Sequence, residues 1–391
     1  MARGGLLWPC DAERSPMEIE LSPDQRLFRA TTRAFMDKEF PLARVRETAA
    51  TGGRGFRGWW ARAAELGWTA LLAPEELGGG SVSGEGVRDL ALLAETLGES
   101  VAPGALLATN IVLAGLVAAQ ADGGDHAAVI RELVGGASIA TWAVYEPGRP
   151  WEPLEPGLAA TPVADGHRLN GVKDRVELAG EADLFLVTAD TGEGVAQFLV
   201  PADAGGITVR PQWSLDLARP FGEVRFDDVL VRPRALVGAV GSGAVVARQA
   251  RIAGVLQCAE ICGGLDRVFE MTTRWAADRH SFGRPLDSYQ ALKHRFADMR
   301  TWLEACHATT QAAAAAVQEH SPDADLAVSV AKSFVGDRSL RILQDCVQLH
   351  GGIGVTWEHD LHLYLRRATV DRALYGTPED HRRRLADLTL S

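Results

Sequence analysis

These 391 residues predict an α+β chain in three parts: an N-terminal helical domain, a central antiparallel β-barrel or sandwich domain, and a C-terminal four-helix bundle. Three observations carry the prediction. Helical apolar spacing opens the chain, short β-rich runs parted by Gly, Pro and Asp fill its middle, and long amphipathic spans return after about residue 241. The expected divisions are a loose extension over 1–16, then 17–134, 135–236 and 237–391, with Met17 a second candidate start.

The first helix is expected to begin at Ser22-Pro23-Asp24-Gln25, where Ser22 serves as the cap and Pro23 suits the first turn. Leu27, Phe28, Phe35 and Phe40 continue its apolar pattern, and Gly67 and the Pro74 to Gly80 run interrupt it. Two or three further helices follow, one over Leu90 to Leu97. Next come strand-like runs at 139–144, 184–188, 197–200 and 207–209. No helix-length segment separates them, so a small barrel or sandwich fits better than a βαβ fold, and no Gly-x-Gly-x-x-Gly follows a strand, so there is no Rossmann signal. One long helix is expected up to Arg279, a second from Tyr289 to His320, and a third after Ser321-Pro322-Asp323 that ends at a glycine block.

Composition excludes several classes of function. A net charge of -11 disfavours nucleic acid, whose phosphates need clustered Lys and Arg. No apolar run approaches the roughly 20 residues needed to cross a bilayer, and the N-terminal apolar stretch is too short for a secretory signal. Five cysteines without a Cys-x-x-Cys pair suit a reducing compartment, so the cytoplasm is the expected location. Cys258 and Cys262 fall on one stripe with Val255, Leu265, Phe269 and Thr272, and read as buried small hydrophobes. His359 and His362 lie three apart without a convincing third ligand, so no metal is expected.

Two segments stand out. Asp278-Arg279-His280-Ser281-Phe282-Gly283-Arg284-Pro285 breaks a helix, and an Arg at a helix C-terminus complements its dipole. In Gln348-Leu349-His350-Gly351-Gly352-Ile353-Gly354 the glycines either end a helix or let a ligand approach the backbone.

Together with the helical, β, helical order and the closing Leu374-Tyr375-Gly376-Thr377-Pro378, these segments resemble the acyl-CoA dehydrogenase family from about residue 20 onward. The resemblance implies FAD as cofactor, an acyl-CoA thioester as substrate, an electron-transfer acceptor and an oligomer. It assigns Arg279, Phe282, Gln290, Gln348, Gly351 and Gly352 to the FAD of a neighbouring subunit, with Arg279 on the pyrophosphate. Thr377 is assigned to the cofactor as well. In the central domain Val144-Tyr145-Glu146-Pro147-Gly148 resembles the family's Thr-Glu-Pro-Gly turn beside the isoalloxazine, with Tyr145 in place of Thr. Arg175-Val176-Glu177-Leu178-Ala179 stands where the family has Trp-Ile-Thr-Asn-Gly, which puts Glu177, an acceptor, in place of a hydroxyl donor.

The catalytic base is the point of departure. Tyr375 occupies the family's usual Glu position, and a phenol with a pKa of about 10 is a poor base at neutral pH. The alternative position falls near Ala253 and has no carboxylate. Asp371, Glu260 and Glu379 are the remaining candidates, the first and last read most simply as surface acids and Glu260 as a bundle residue. Arg251 is the candidate for CoA recognition. Trp357-Glu358-His359-Asp360 and the Tyr-Gly-Thr-Pro-Glu ending resemble an actinobacterial steroid and lipid subgroup of the family, which often forms α2β2 tetramers with the base on one chain only. The leading expectation is therefore a base-lacking subunit of a heteromeric FAD-dependent acyl-CoA dehydrogenase, with a homo-oligomer as the other assembly. A flavin monooxygenase or oxidase on the same fold and a non-catalytic acyl-CoA-binding scaffold are the alternatives.

Overall fold

A computed structural model describes residues 21–50, 57–104 and 106–390; the expected loose extension at 1–16, with Met17, lies outside the described residues. The first helix, α1 (Pro23–Glu39), opens with a capping box in which the Ser22 hydroxyl accepts the Gln25 N–H and the Gln25 side chain accepts the Ser22 N–H. After it come α2 (Leu42–Ala50), α3 (Arg57–Glu65), α4 (Gly86–Gly98), α5 (Leu106–Ala121) and α6 (Ala127–Val134). Most residues of α4 and α5 are buried, because these helices lie between the outer helices and the rest of the molecule.

The strands are β1 (Ala140–Ala143), β2 (Ala159–Val163), β3 (Gly166–Glu177), β4 (Leu184–Asp190), β5 (Val195–Pro201), β6 (Ile207–Gln212), β7 (Phe221–Val231) and β8 (Leu236–Val237). They form one sheet in the order β6-β7-β3-β2-β4-β5-β8, with β1 also on β4. The expected sheet domain is present, but it is open and mixed, since β1 runs parallel to β4 and β2 touches β4 in parallel at Ala159 and Asp190. Period-two spacing tells which face a residue occupies and carries no information on strand direction. The long pair β3 and β7 has no counterpart among the sequence-predicted runs. Their exposed and half-buried positions carry Arg, Asp, Asn and Glu223, and Lys173 and Glu177 are charged residues turned inward, which together dilute the apolar signal.

The bundle is built from α7 (Gly243–Asp278), α8 (Gln290–Gln318), α9 (Ala324–His350), α10 (Leu361–Ala373) and α11 (Pro378–Leu390). A two-residue hairpin, β9 (His280–Ser281) with β10 (Arg284–Pro285), turns the chain between α7 and α8. Cys258 and Cys262 are buried, as their stripe predicts. Helices α4 and α7 cross so closely that a Cβ on Gly263 would lie 1.8 Å from the Glu95 carbonyl oxygen, and one on Gly98 would lie 2.1 Å from that of Glu260. One core runs through the helices and β1, and a second, around Phe185, Phe198 and Phe226, fills the sheet. No helix among the described residues is long and apolar enough to cross a membrane.

Candidate functional site

After β1 the chain leaves the sheet at Val144-Tyr145-Glu146-Pro147-Gly148. Glu146 fixes this turn by accepting the Gly157 N–H (2.7 Å) and the Leu158 N–H (2.8 Å) and by pairing with the fully buried Lys173 at 2.6 Å. Burial lowers the Lys173 pKa to about 8 even with Glu146 beside it. The turn thereby delivers Tyr145, and a few residues later Trp151, to the junction of sheet and bundle.

Tyr375 arrives there from the opposite side, just past the end of α10. Lys332 on α9 donates to the carbonyls of Asp371 (3.1 Å) and Leu374 (2.6 Å), which holds the end of that helix. Tyr375 takes a left-handed conformation with φ 54°, and Gly376 follows at φ 93°. A Cβ on Gly376 would lie 2.6 Å from His381 Nε2 and 2.9 Å from Trp151 Cδ1, so only glycine fits.

Four aromatic rings then meet. Tyr375 stacks on Trp142 (6.2 Å between centroids, 14° between planes), meets Trp151 edge-on at 5.7 Å and lies 5.9 Å from Tyr145. Tyr145 and Trp151 are 5.0 Å apart. Trp142 Nε1 donates to the Thr188 hydroxyl at 2.8 Å, and the Arg175 guanidinium lies 4.5 Å from the Tyr145 ring centroid. Trp142, Tyr145 and Tyr375 are buried. Two cavities of about 10 Å³ each border the region, one lined by Gly98, Glu260, Tyr364 and Arg367, the other by Tyr145, Arg149 and Trp151. Each is about the size of a single water.

Beneath the rings lies a buried ionic cluster. Arg219, from the loop before β7, contacts Glu177 at 3.0 Å, Glu260 at 2.6 Å and Asp371. Arg367 on α10 contacts Glu260 at 2.5 Å and Asp216. The charges come from sheet, loop and bundle, so the cluster ties those parts together. Burial, reinforced for Asp371 by Glu260, raises the Glu177 and Asp371 pKa values above the ordinary carboxylate range in spite of Arg219. Burial and then the Glu177 carboxylate push the Tyr375 phenol well above its usual value, so it stays protonated.

The candidate bases thus fall in unlike places. Glu379 is a surface acid paired with Arg372 and Arg382, as expected. Asp371 is not a surface acid: it is completely buried, because α10 turns that face into the bundle, where Arg219 reaches it. Glu260 is held between two guanidiniums. Arg251 pairs with Asp325 at 2.8 Å. The Thr377 hydroxyl accepts the Asp380 N–H (3.2 Å) and donates to the Asp380 carboxylate (2.8 Å), capping α11.

The segments at 279–290 and 348–352 form a different surface. Arg279, Phe282, Gln290, Gln348, Gly351 and Gly352 are all exposed, Phe282 to 97% at the tip of the hairpin. A Cβ on Gly351 or Gly352 would meet nothing within 4 Å, so nothing in this chain requires glycine at Gly352. Among the described residues, neither His359 nor His362 belongs to a group of three potential metal ligands. The one group of three potential metal ligands found among the described residues is Glu95, Asp266 and His307, where the imidazole lies 3.4 Å from Glu95 and 3.0 Å from Asp266. Sequence reasoning missed this triad, and also Arg219, Arg367 and Asp216. The signal for Arg219 was Glu177 itself, since a carboxylate in a strand that enters the core needs a cation nearby.

A helical domain, an open sheet and a long-helix bundle, with tyrosines from turn and bundle meeting at their junction, define a three-domain α+β architecture that known families share. Family models for the acyl-CoA dehydrogenase N-terminal and C-terminal domains match residues 22–133 and 242–390. The chain belongs to the acyl-CoA dehydrogenase family, whose members are oxidoreductases. It is 30% identical to acyl-CoA dehydrogenase IpdE2 of Mycobacterium tuberculosis, over 93% of this chain and 96% of that one. Among solved structures it is similar to the Tcur3481-Tcur3483 steroid ACAD, with a TM-score of 0.83 and 27% identity over 94% of this chain and 97% of that one. PigA with FAD and proline has the same fold, with a TM-score of 0.86 and 24% identity over 94% of this chain and 98% of that one.

Proposed function

We propose that this chain is a base-lacking subunit of a heteromeric, FAD-dependent acyl-CoA dehydrogenase, in which a partner subunit supplies the carboxylate that removes the α proton of the thioester. One observation carries the reading. The residue in the base position, Tyr375, is buried against Trp142, Tyr145 and Trp151, and these rings fill the junction where the family resemblance puts isoalloxazine and thioester. The residues present do not fit a flavin within this chain's own junction. Glu177 adds a carboxylate where a hydroxyl donor is expected, and it is committed to Arg219.

The other surface does fit a dinucleotide, one held by an adjoining subunit. Arg279 supplies an exposed guanidinium fork for a pyrophosphate, and Gly351 and Gly352 leave open space for close backbone approach. Phe282, Gln290 and Gln348 are accessible on the same two segments. When bound, FAD accepts the hydride that leaves the acyl β carbon. This chain's part is to bind and orient, while proton abstraction falls to the partner. Similarity to the Tcur3481-Tcur3483 steroid ACAD supports assembly with a second, related chain and a steroid or lipid acyl-CoA as substrate. A monooxygenase or oxidase with flavin in this chain's own junction meets the same filled site, and so does an acyl-CoA scaffold that would use that junction.

The test is to purify the chain alone and co-expressed with acyl-CoA dehydrogenase-like partners. Visible spectra and acyl-CoA desaturation with an artificial electron acceptor are then measured. The expected result is no flavin band and no desaturation for the chain alone, and both for the complex. Stoichiometric FAD and full desaturation from the chain alone would overturn the reading.

A further inference from the structure

Arg279 closes α7 as an exposed cation, and among the described residues no carboxylate pairs with it. This sets it apart from Arg251, Arg295 and Arg382, each of which is committed to an aspartate. Its backbone is held from both sides: its N–H donates to the Trp275 carbonyl and its carbonyl accepts the Leu286 N–H, each at 2.9 Å. Its guanidinium carbon lies 5.9 Å from the centroid of the Trp275 ring.

Trp275 is itself braced. Its indole stacks on His350 with 5.4 Å between centroids and 17° between planes. His350 is buried, and its Nδ1 lies 2.8 Å from the Cys346 carbonyl, a contact that requires the proton on Nδ1 and fixes the plane of the ring. His359 meets the imidazole edge-on at 4.6 Å. Guanidinium, indole and two imidazoles thus form a continuous column, and His350 immediately precedes Gly351. The column joins the two segments that the proposed function places against a dinucleotide.

We propose that Trp275, braced by His350, is a positioning residue for Arg279, serving as an aromatic shelf that presents the guanidinium to the diphosphate of a cofactor held by an adjoining subunit. The inference rests on the reading of that face given above. A carboxylate partner would position the arginine equally well, but it would compete with phosphate for the same N–H groups. An aromatic face attracts the cation while leaving those donors free. It also narrows the rotamers of a long side chain before the ligand arrives, which reduces the entropy lost on binding.

The test uses the complex of the full chain with its flavoprotein partner, titrated with FAD and followed at the flavin absorption band. The variants are Arg279→Ala, Trp275→Ala, Trp275→Leu, Trp275→Phe and the double variant Trp275→Ala with Arg279→Ala. Arg279→Ala is expected to weaken FAD binding by roughly tenfold or more, as for loss of a charge-assisted contact. Trp275→Ala and Trp275→Leu should each weaken it by about two- to fivefold, the scale of an exposed cation–π contact, and Trp275→Phe should restore parental affinity. The double variant should bind no more weakly than Arg279→Ala, because the shelf has nothing left to position.

Additive losses in the double variant, or parental affinity in both Trp275→Ala and Trp275→Leu while Arg279→Ala binds weakly, would overturn the shelf and leave the proposed function standing. Parental affinity in Arg279→Ala would overturn the reading of the face, and the shelf with it. Trp275→Leu keeps apolar bulk under the loop, so the comparison survives if the alanine variant folds poorly.

Discussion

The backbone N–H of Tyr375 donates to the hydroxyl of Tyr145, so the residue just past α10 is tied to the turn that follows β1 in the central domain. The bond spans 230 residues of sequence and is buried. Tyr145→Phe keeps the ring and deletes the acceptor, which leaves the Tyr375 N–H unsatisfied in the interior. The expected loss is about 1–3 kcal/mol, read by urea unfolding, and an unchanged midpoint would show that another acceptor takes the N–H.

Restoring a carboxylate at the base position should not restore chemistry. Tyr375→Glu removes a ring from the aromatic group and adds an acid near Glu177 and Asp371, which already share the Arg219 guanidinium. The chain alone is expected to show no acyl-CoA desaturation and a lower melting temperature than the parent. Measurable turnover in that variant would show that the junction admits flavin and thioester.

Arg219 is the cation that three buried carboxylates share. Arg219→Met leaves Glu177 and Asp371 without their partner and should cost about 3–5 kcal/mol at neutral pH. The loss should shrink as pH falls through the raised folded pKa values of Glu177 and Asp371, because below them both acids are already neutral in the folded parent. Arg219→Lys should recover little, because a single ammonium cannot serve three acceptors in fixed directions. Chemical denaturation of both variants at neutral and acid pH checks this.

His307 predicts a pH dependence of opposite origin. Burial disfavours its charged form, but Asp266 and then Glu95 outweigh that and hold its pKa well above the ordinary imidazole value. A raised folded pKa means that the folded chain keeps a proton which the unfolded chain releases above about pH 6.5. The contribution is therefore complete below that pH and is lost as pH rises through the folded pKa. Parent and His307→Gln should differ most in unfolding free energy just below about pH 6.5 and converge at strongly alkaline pH. A gap that does not change with pH would show that the imidazole acts through packing alone.

At the crossing of α4 and α7, Gly263→Ala would place a methyl group 1.8 Å from the Glu95 carbonyl oxygen, which is backbone and cannot swing aside. The helices must separate, at a cost of about 2 kcal/mol or more. Because Glu95 also faces His307, the same variant should flatten the pH dependence described above. A melting curve and its pH series suffice to check both.

The order of domains, the capping box at Ser22, the buried cysteine stripe and the exposed segments at Arg279 and Gly351 were all legible in the chain, since each depends on neighbours within a turn or two of helix. So was the presence of Tyr375 in the closing Leu374-Tyr375-Gly376-Thr377 run, which is a matter of sequence alone. The direction of β1 against β4 was not legible, and neither was the fate of Asp371, which looked like a surface acid among arginines.

What the sequence determined by itself is therefore chemical: which groups are present and which of them stand where the resemblance puts a carboxylate. What only the tertiary structure decided is where those groups are spent. Tyr145, Glu177 and Tyr375 come from segments far apart in the chain, and only folding reveals that they fill the junction, with Trp142 and Trp151 packed on them and Arg219 beneath. Packing at that junction depends on volumes contributed by three parts of the chain at once, and no local periodicity encodes such a sum.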